Sequence, residues 1–278
     1  MQLDSQKIHV VQELLHQMCG IHLTNSKQTM TQNRINILLK NSLLHNVTTF
    51  EELISAIKTN TQVRQAFINS FTTNKTDLFR ESYHFSDMLD RTLIDPLRNN
   101  REIKILCAAS SSGEEPYSIA ATCIYAKNLY KSTSPIKITA TDIDTNMLDL
   151  AKRGEYTFDP QIHKIPEWVE LDKYFDVTKL GRIAQLKVKS SLKSLVTFQQ
   201  LNLFNKTYPF TANDFDLIFC RNVLIYFETK NQEAILEKLH HILKVDGTLY
   251  LGHSEDVLGL KDRFDKLGNK IFVKKSVL

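Results

Sequence analysis

Apolar positions follow two regimes along the chain. Up to about residue 71 they recur at helical spacing: Ile8, Val11, Leu14, Leu15 and Met18, then Ile35, Leu38, Leu39 and Leu43, then Leu53 and Ile57. The last group follows Thr48-Thr49-x-Glu51-Glu52, a hydroxyl and acid pattern that opens helices by satisfying their free backbone N–H groups. The pattern predicts an all-helical N-terminal domain over residues 1–71, closed by the polar stretch Thr72–Asp77.

From 72 to 278, short β-rich runs alternate with amphipathic segments. Strands are predicted over Ile103–Cys107, Ile136–Ala140, Leu195–Gln199, Phe215–Phe219 and Thr248–Leu251, with a hairpin around Phe264–Val273. Helices fit Glu115–Lys127, Asn146–Lys152 and Lys230–Leu243, the last stopped by Val245-Asp246-Gly247. Such alternation gives an α/β domain with a mainly parallel, Rossmann-like sheet, helices on both faces and ligands at the carboxyl ends of the strands. Residues 172–194 break the rhythm: Ile183, Leu186 and Val188, flanked by polar residues, predict a small antiparallel β insertion.

Composition adds mostly exclusions. With 278 residues, 42% hydrophobic and 24% charged, the chain can bury a sizeable core in one large and one small domain. It has no run of about 18 apolar residues, and Met1-Gln2-Leu3-Asp4 opens without an apolar signal-like segment, so a cytoplasmic protein without membrane insertion is expected. A formal charge of +4, without a basic cluster, gives no reason to expect nucleic acid. Cys19, Cys107, Cys123 and Cys220 lie far apart, with neither a Cys-x-x-Cys nor a nearby His pair, so reduced thiols and no metal are expected.

Candidate chemistry lies in the loops after strands. The first runs Cys107-Ala-Ala-Ser-Ser-Ser-Gly113-Glu114-Glu115-Pro116, small residues leading into a helix, where a ligand can approach the backbone closely. Two acids would repel phosphate and suit a cationic, phosphate-free ligand; equally, they complement the helix dipole while Pro116 starts the helix. The second strand ends in Thr141-Asp142-Ile143-Asp144. Asp142 is assigned to ribose hydroxyls and Asp144 to the cap of the next helix. The fourth strand delivers Arg221-Asn222 and Tyr226 to the same edge. This loop lacks the polar residue and two prolines of a flipped-base platform; an arginine there suits an anionic substrate, or pairs with Asp216 or a surface acid.

Taken together, Asn74-x-Thr76-x-x-Phe79-Arg80-Glu81, Ser111-Ser112-Gly113-Glu114-Glu115-Pro116-Tyr117-Ser118, Thr141-Asp142-Ile143-Asp144, Phe219-Cys220-Arg221-Asn222-Val223-x-Ile225-Tyr226-Phe227 and Gly252-His253-Ser254-Glu255 resemble the CheR chemotaxis receptor methyltransferases. The resemblance implies S-adenosylmethionine as cofactor, S-adenosylhomocysteine as product, and glutamate carboxylates of chemoreceptors as substrate. It implies cofactor contacts from Asn74, Thr76, Arg80, Glu115, Asp142, Asn202, Leu203, Arg221 and Asn222, and places Arg80, Arg221 and Tyr226 beside the transferred methyl group. The expected partner is the cytoplasmic helical region of a receptor, docked by the N-terminal domain, with the enzyme a monomer. A small-molecule carboxylate methyltransferase and a non-catalytic cofactor-binding module are the alternatives. Two departures stand out: Ser110-Ser111-Ser112 replaces the family's frequent Cys-Ser-Thr, and Arg34–Lys40 holds fewer basic residues than the family's receptor-reading helix. Some relatives bind a receptor C-terminal peptide at the β insertion. Here that stretch contains only Gly181, and independence from such a tether is expected.

Overall fold

The computed structural model describes residues 1–276. Four helices form the first unit: α1 (Ser5–Cys19), α2 (Gln28–Leu38), α3 (Phe50–Thr59) and α4 (Thr61–Phe71). Side chains start three of them: Asp4 caps α1, Thr49 and Glu52 form a reciprocal capping box on α3, and Asn60 caps α4. Their apolar faces close on one core around the fully buried Val11, Leu15, Ile35, Leu53, Ile57 and Phe67. The run expected to carry α2 through Leu43 breaks at Leu38. Asn41 accepts from Leu43 N at 3.0 Å and caps a separate 3₁₀ turn, Ser42–Leu44, leaving Leu43 exposed.

After the linker come α5 (Tyr83–Asp87), a π turn (Met88–Thr92) and α6 (Ile94–Arg98), none of which has a clear apolar period. The α/β unit follows: β1 (Ile103–Ala108), α7 (Glu114–Tyr130), β2 (Ile136–Asp142), α8 (Thr145–Arg153), β3 (Glu155–Phe158), α9 (Leu171–Tyr174), β4 (Phe175–Leu180), β5 (Ile183–Val188), α10 (Ser190–Lys193), β6 (Val196–Gln200), β7 (Phe215–Cys220), α11 (Thr229–Ile242), β8 (Leu243–Leu251), β9 (Phe264–Gly268) and β10 (Ile271–Lys274). Seven strands make the main sheet in the order β6-β2-β1-β7-β8-β10-β9, parallel from β6 to β8 and antiparallel beyond. Helices cover both faces, so β1 and β7 bury nearly every residue. The chain winds outward from β1 in both directions, and the crevice lies at the carboxyl ends of β1 and β7.

Two expectations need correction. The insertion is a three-stranded sheet, β3-β5-β4, because Glu155–Phe158 pairs with β5 from outside the 172–194 stretch; its alternation of exposed and buried positions spans only four residues. Val245-Asp246-Gly247 does not stop α11. It lies within β8 as an irregularity, with Asp246 at φ 61° and a register jump against β7. The helix ends earlier, where Lys274 Nζ donates to the carbonyls of His240 (2.8 Å) and Leu243 (2.7 Å).

Asp144 joins the two units. One carboxylate oxygen caps α8 by accepting from Asn146 N (2.9 Å) and Met147 N (3.3 Å); the other accepts from Thr72 Oγ1 (2.6 Å) and Asn74 Nδ2 (3.0 Å). Asp144→Ala is expected to cost about 1–3 kcal/mol in urea unfolding, the sum of a lost cap and two lost hydrogen bonds to the linker. A loss below about 0.5 kcal/mol would show that water replaces these bonds.

Candidate active site

One cavity of about 330 Å³ opens at the carboxyl ends of the central strands. All ten residues singled out from the sequence line it: Asn74, Thr76 and Arg80 from the linker, Glu115 from α7, Asp142 from β2, Asn202 and Leu203 after β6, and Arg221, Asn222 and Tyr226 after β7. The backbone around them is held in an unusual state. Phe79 (φ 54°), Glu81 (54°), Ala109 (58°), Ser111 (49°) and Asn222 (58°) all adopt the left-handed region without being glycine, at a cost on the order of 1–3 kcal/mol each. Such strain persists only where surrounding contacts over-determine it.

Phe79 N donates to Ser118 Oγ, Ser111 N to Asp142 and Asn222 N to Glu255, and the Glu81 side chain is held by Arg221. The Arg221 side chain is 1% exposed and sits between two carboxylates, Glu115 at 2.7 Å and Glu81 at 3.1 Å, while Nη2 also donates to the Arg80 carbonyl. Neither Asp216 nor a surface acid is its partner; Asp216 pairs with Lys244 at 2.7 Å. Burial pushes the Glu81 carboxyl pKa up, but the charge of Arg221 and hydrogen bonds from Arg221, Asn222 and His253 outweigh it and hold the group at about 2. One guanidinium between two carboxylates carries a formal charge of −1. Both terminal nitrogens are engaged by the protein, while Nε is buried without a hydrogen-bond partner, so Arg221 stands in the wall held between two acids. Arg80 differs. It is partly exposed, and its one side-chain hydrogen bond is to the Lys75 carbonyl at 3.1 Å; among the described residues no acid pairs with it.

Asp142 accepts from Ser111 N (2.7 Å) and Asp144 N (2.8 Å), one bond to each oxygen, so each oxygen keeps accepting capacity. Burial pushes its pKa up to about 6, against the pull of those two N–H groups. Glu115 also accepts from Cys107 Sγ at 3.1 Å. Its neighbour Glu114, grouped with it in the sequence reading, turns away: it accepts from Ser112 Oγ and lines a separate cavity of about 320 Å³ beside β3. Burial pushes Glu114 up to about 7. Consecutive residues at a helix start face different ways, and the spacing alone did not say which faced the crevice.

Sequence reasoning missed the wall contributed by the first domain. Ile21, His22, Leu23 and Thr24, after α1, line the cavity together with Cys19. Gly20 makes this approach possible: at φ 74° it ends α1, and a Cβ there would lie 2.5 Å from Phe204 and 3.0 Å from Phe227. The segment is tied down by Asn202 Nδ2 to the Met18 carbonyl (2.8 Å), His22 N to the Tyr226 carbonyl (2.9 Å) and His22 Nδ1 to Glu228 (3.1 Å). A glycine after a helical run was visible in the sequence; its neighbour in space was not.

Comparison with known proteins agrees with this architecture. Residues 74–273 match the family described as CheR methyltransferase, SAM binding domain, and residues 6–72 that described as CheR methyltransferase, all-alpha domain. The chain is 36% identical over 264 residues to the chemotaxis protein methyltransferase of Escherichia coli, covering 94% of this chain and 88% of that one. It is 34% identical over 263 residues to chemotaxis protein methyltransferase 2 of Pseudomonas aeruginosa, covering 94% and 90%. With the chemotaxis protein methyltransferase of Borreliella burgdorferi it shares 36% over 251 residues, covering 87% and 85%. The protein is thus an S-adenosylmethionine-dependent methyltransferase. It belongs to the CheR methyltransferase family.

The residues present fit that cofactor. The cavity falls within the range of small-molecule sites; Asp142 keeps acceptors for hydroxyl groups; Ile21, Leu23, Phe71, Ile143 and Leu203 give an apolar wall; and the Glu81–Arg221–Glu115 cluster complements a positive charge. Arg221→Met is expected to destabilise by about 3–5 kcal/mol at pH 7, because two carboxylates remain buried without a counter-charge. In the wild type the depressed Glu81 pKa contributes stability that is present above the unfolded value and lost as pH falls towards about 2. Without Arg221, burial pushes the Glu81 pKa up instead, so the variant's deficit should shrink on acidification. A deficit that is constant from pH 7 to 4 in denaturant titrations would contradict this account.

Proposed function

We propose that the protein esterifies glutamate side chains on the cytoplasmic helical part of a chemoreceptor, giving glutamate methyl esters and S-adenosylhomocysteine, and that it does so as a cytoplasmic monomer. The observation that carries the reading is an arginine with no acid partner among the described residues, Arg80, on the same cavity as one held between two carboxylates, Arg221. No helix among the described residues is long and apolar enough to cross a membrane.

S-adenosylmethionine supplies an electrophilic methyl group on a positively charged sulfur. Asp142, Asn202, Leu203, Asn74, Thr76 and Asn222, which line the cavity, would hold it, and Glu115 and Glu81 with Arg221 would offer one net negative charge to its positive sulfur. A glutamate with an ordinary pKa of about 4.3 is already ionised at neutral pH, so no base has to remove a proton. What the chain must do is place one carboxylate oxygen in line and remove its water. Arg80 orients that carboxylate. Tyr226, whose hydroxyl has no protein partner among the described residues, donates to the incoming group. A small-molecule acid would not need a second helical domain with its own core, which favours a protein substrate.

Recognition is assigned to the first domain. Arg34 and Lys40 border a single groove, because α2 ends at Leu38 and Lys40 lies beyond it. A peptide copying the receptor's own C-terminus is expected to show no saturable micromolar binding, whereas Arg34→Ala should slow receptor methylation. Saturable binding mapped to β4 would reverse this assignment.

For the chemistry, calorimetry on metal-free protein should detect both S-adenosylmethionine and its product, and Asp142→Ala should weaken binding by about 1–3 kcal/mol. Incubation with labelled cofactor and receptor-containing membranes should form alkali-labile methyl esters that release volatile labelled methanol on alkali treatment. Arg80→Ala should depress that turnover with an almost unchanged thermal midpoint; wild-type turnover, or a stability loss that accounts for the lost activity, would refute its role.

A further inference from the structure

The turn Gly252-His253-Ser254-Glu255, after β8, carries a carboxylate with an unusual set of partners. Glu255 is 4% exposed. Oε2 accepts from Gly252 N (2.7 Å) and Asn222 N (2.9 Å), and Oε1 from Val223 N and Leu224 N (both 2.8 Å). Among the described residues it has no ion pair; backbone N–H groups alone compensate the buried charge. This is an anion nest built from the protein's own chain. Burial pushes the Glu255 pKa up and the four N–H groups pull it back.

Three of the four donors are consecutive and lie directly between Arg221 and Tyr226. The first, Asn222, is in the left-handed region at φ 58°, a state its own preferences do not secure. Gly252 lets the turn approach: a Cβ there would lie 2.5 Å from Asn222 Nδ2, 2.7 Å from Asn222 N and 2.8 Å from Glu255 Oε2. From the same turn, His253 Nδ1 reaches Glu81 at 3.2 Å, the acid that pairs with Arg221. The turn therefore grips the loop from its backbone and the arginine cluster from its edge. Glu255 does not line the cavity.

We propose that Glu255 is a positioning residue for methyl transfer: its carboxylate fixes the backbone of Asn222–Leu224 and thereby sets where Arg221 and Tyr226 stand in the cavity. This rests on the role in transfer given to Tyr226 above. The carboxylate is specifically required, since an amide at the same place offers one acceptor oxygen and turns an N–H₂ donor toward two of the N–H groups.

The test is a double-mutant cycle on kcat with receptor-containing membranes, using Glu255→Gln, Tyr226→Phe and both together, with the folded fraction measured at assay temperature. Glu255→Gln should lower kcat roughly tenfold or more at an unchanged folded fraction, and the double variant should be no slower than the slower single variant within about twofold. Multiplying effects, wild-type turnover in Glu255→Gln, or a loss of activity equal to the loss of folded protein would overturn the proposal. Should Glu255→Gln fail to fold, Gly252→Ala presses on the same loop from the other side and enters the same cycle with the same expectations. A silent Tyr226→Phe would remove Tyr226 from the transfer, a separate failure, and Glu255 would then stand or fall on its own kcat loss.

Discussion

The buried guanidinium of Arg221 between Glu81 and Glu115 is the interaction on which the rest of this active site depends. Its three members come from the linker, the start of α7 and the end of β7, with Glu115 and Arg221 separated by 106 residues. A cluster of this kind is a poor way to gain stability alone: removing two or three charges from water costs several kcal/mol, and a well-packed apolar substitute often does as well. Apolar residues could pin the same segments together. They could not leave a net negative charge in the cavity wall, nor give Glu81 a charged partner beside its left-handed backbone.

That commitment also sorts the arginines. Arg80 precedes Glu81 in sequence, so fixing the Glu81 side chain fixes the neighbouring backbone. The left-handed turns at Phe79 and Glu81, with Phe79 N donating to Ser118 Oγ at 2.9 Å, present Arg80 to the cavity without an acid of its own. An arginine bound to a protein carboxylate would have to exchange partners to meet a substrate. An arginine flanked by a bound pair does not.

Much of the fold could be read from the chain, for a physical reason. Strands buried on both faces are written as apolar runs such as Ile103–Ala108, and helix starts as Asp144 or Thr49 with Glu52, signals that are local. The same holds for the residues that reach the cavity from loops after strands, Glu115, Asp142 and Asn222 among them. Partner choice was less legible. Whether Arg221 meets Asp216, a surface acid or Glu81 is decided by contacts between distant segments. The direction in which Glu114 turns, the pairing of β3 with β5 and the packing of Gly20 against Phe204 are decided the same way. Of the twelve non-glycine residues in left-handed backbone among the described residues, Ala109, Ser111 and Asn222 line the cavity and Phe79 and Glu81 flank its Arg80, where local preference and tertiary structure disagree.

The first domain's share in the cavity changes what a docking domain does here. With a nucleophile already ionised, catalysis has little to gain from proton transfer and depends on placement and on removal of water. Ile21, Leu23 and Thr24 form part of the wall, and His22 N holds the carbonyl of Tyr226 itself. The segment that follows α1 is thus shared between the first domain and the loop after β7 that carries Tyr226. Contacts made far from the reacting carbon can then act on its geometry, which is how binding energy from remote parts of a substrate is converted into rate. A docking domain joined only by a loose linker would raise the local concentration of receptor and nothing more; one that closes the cofactor cavity makes receptor contact and cofactor placement parts of a single arrangement.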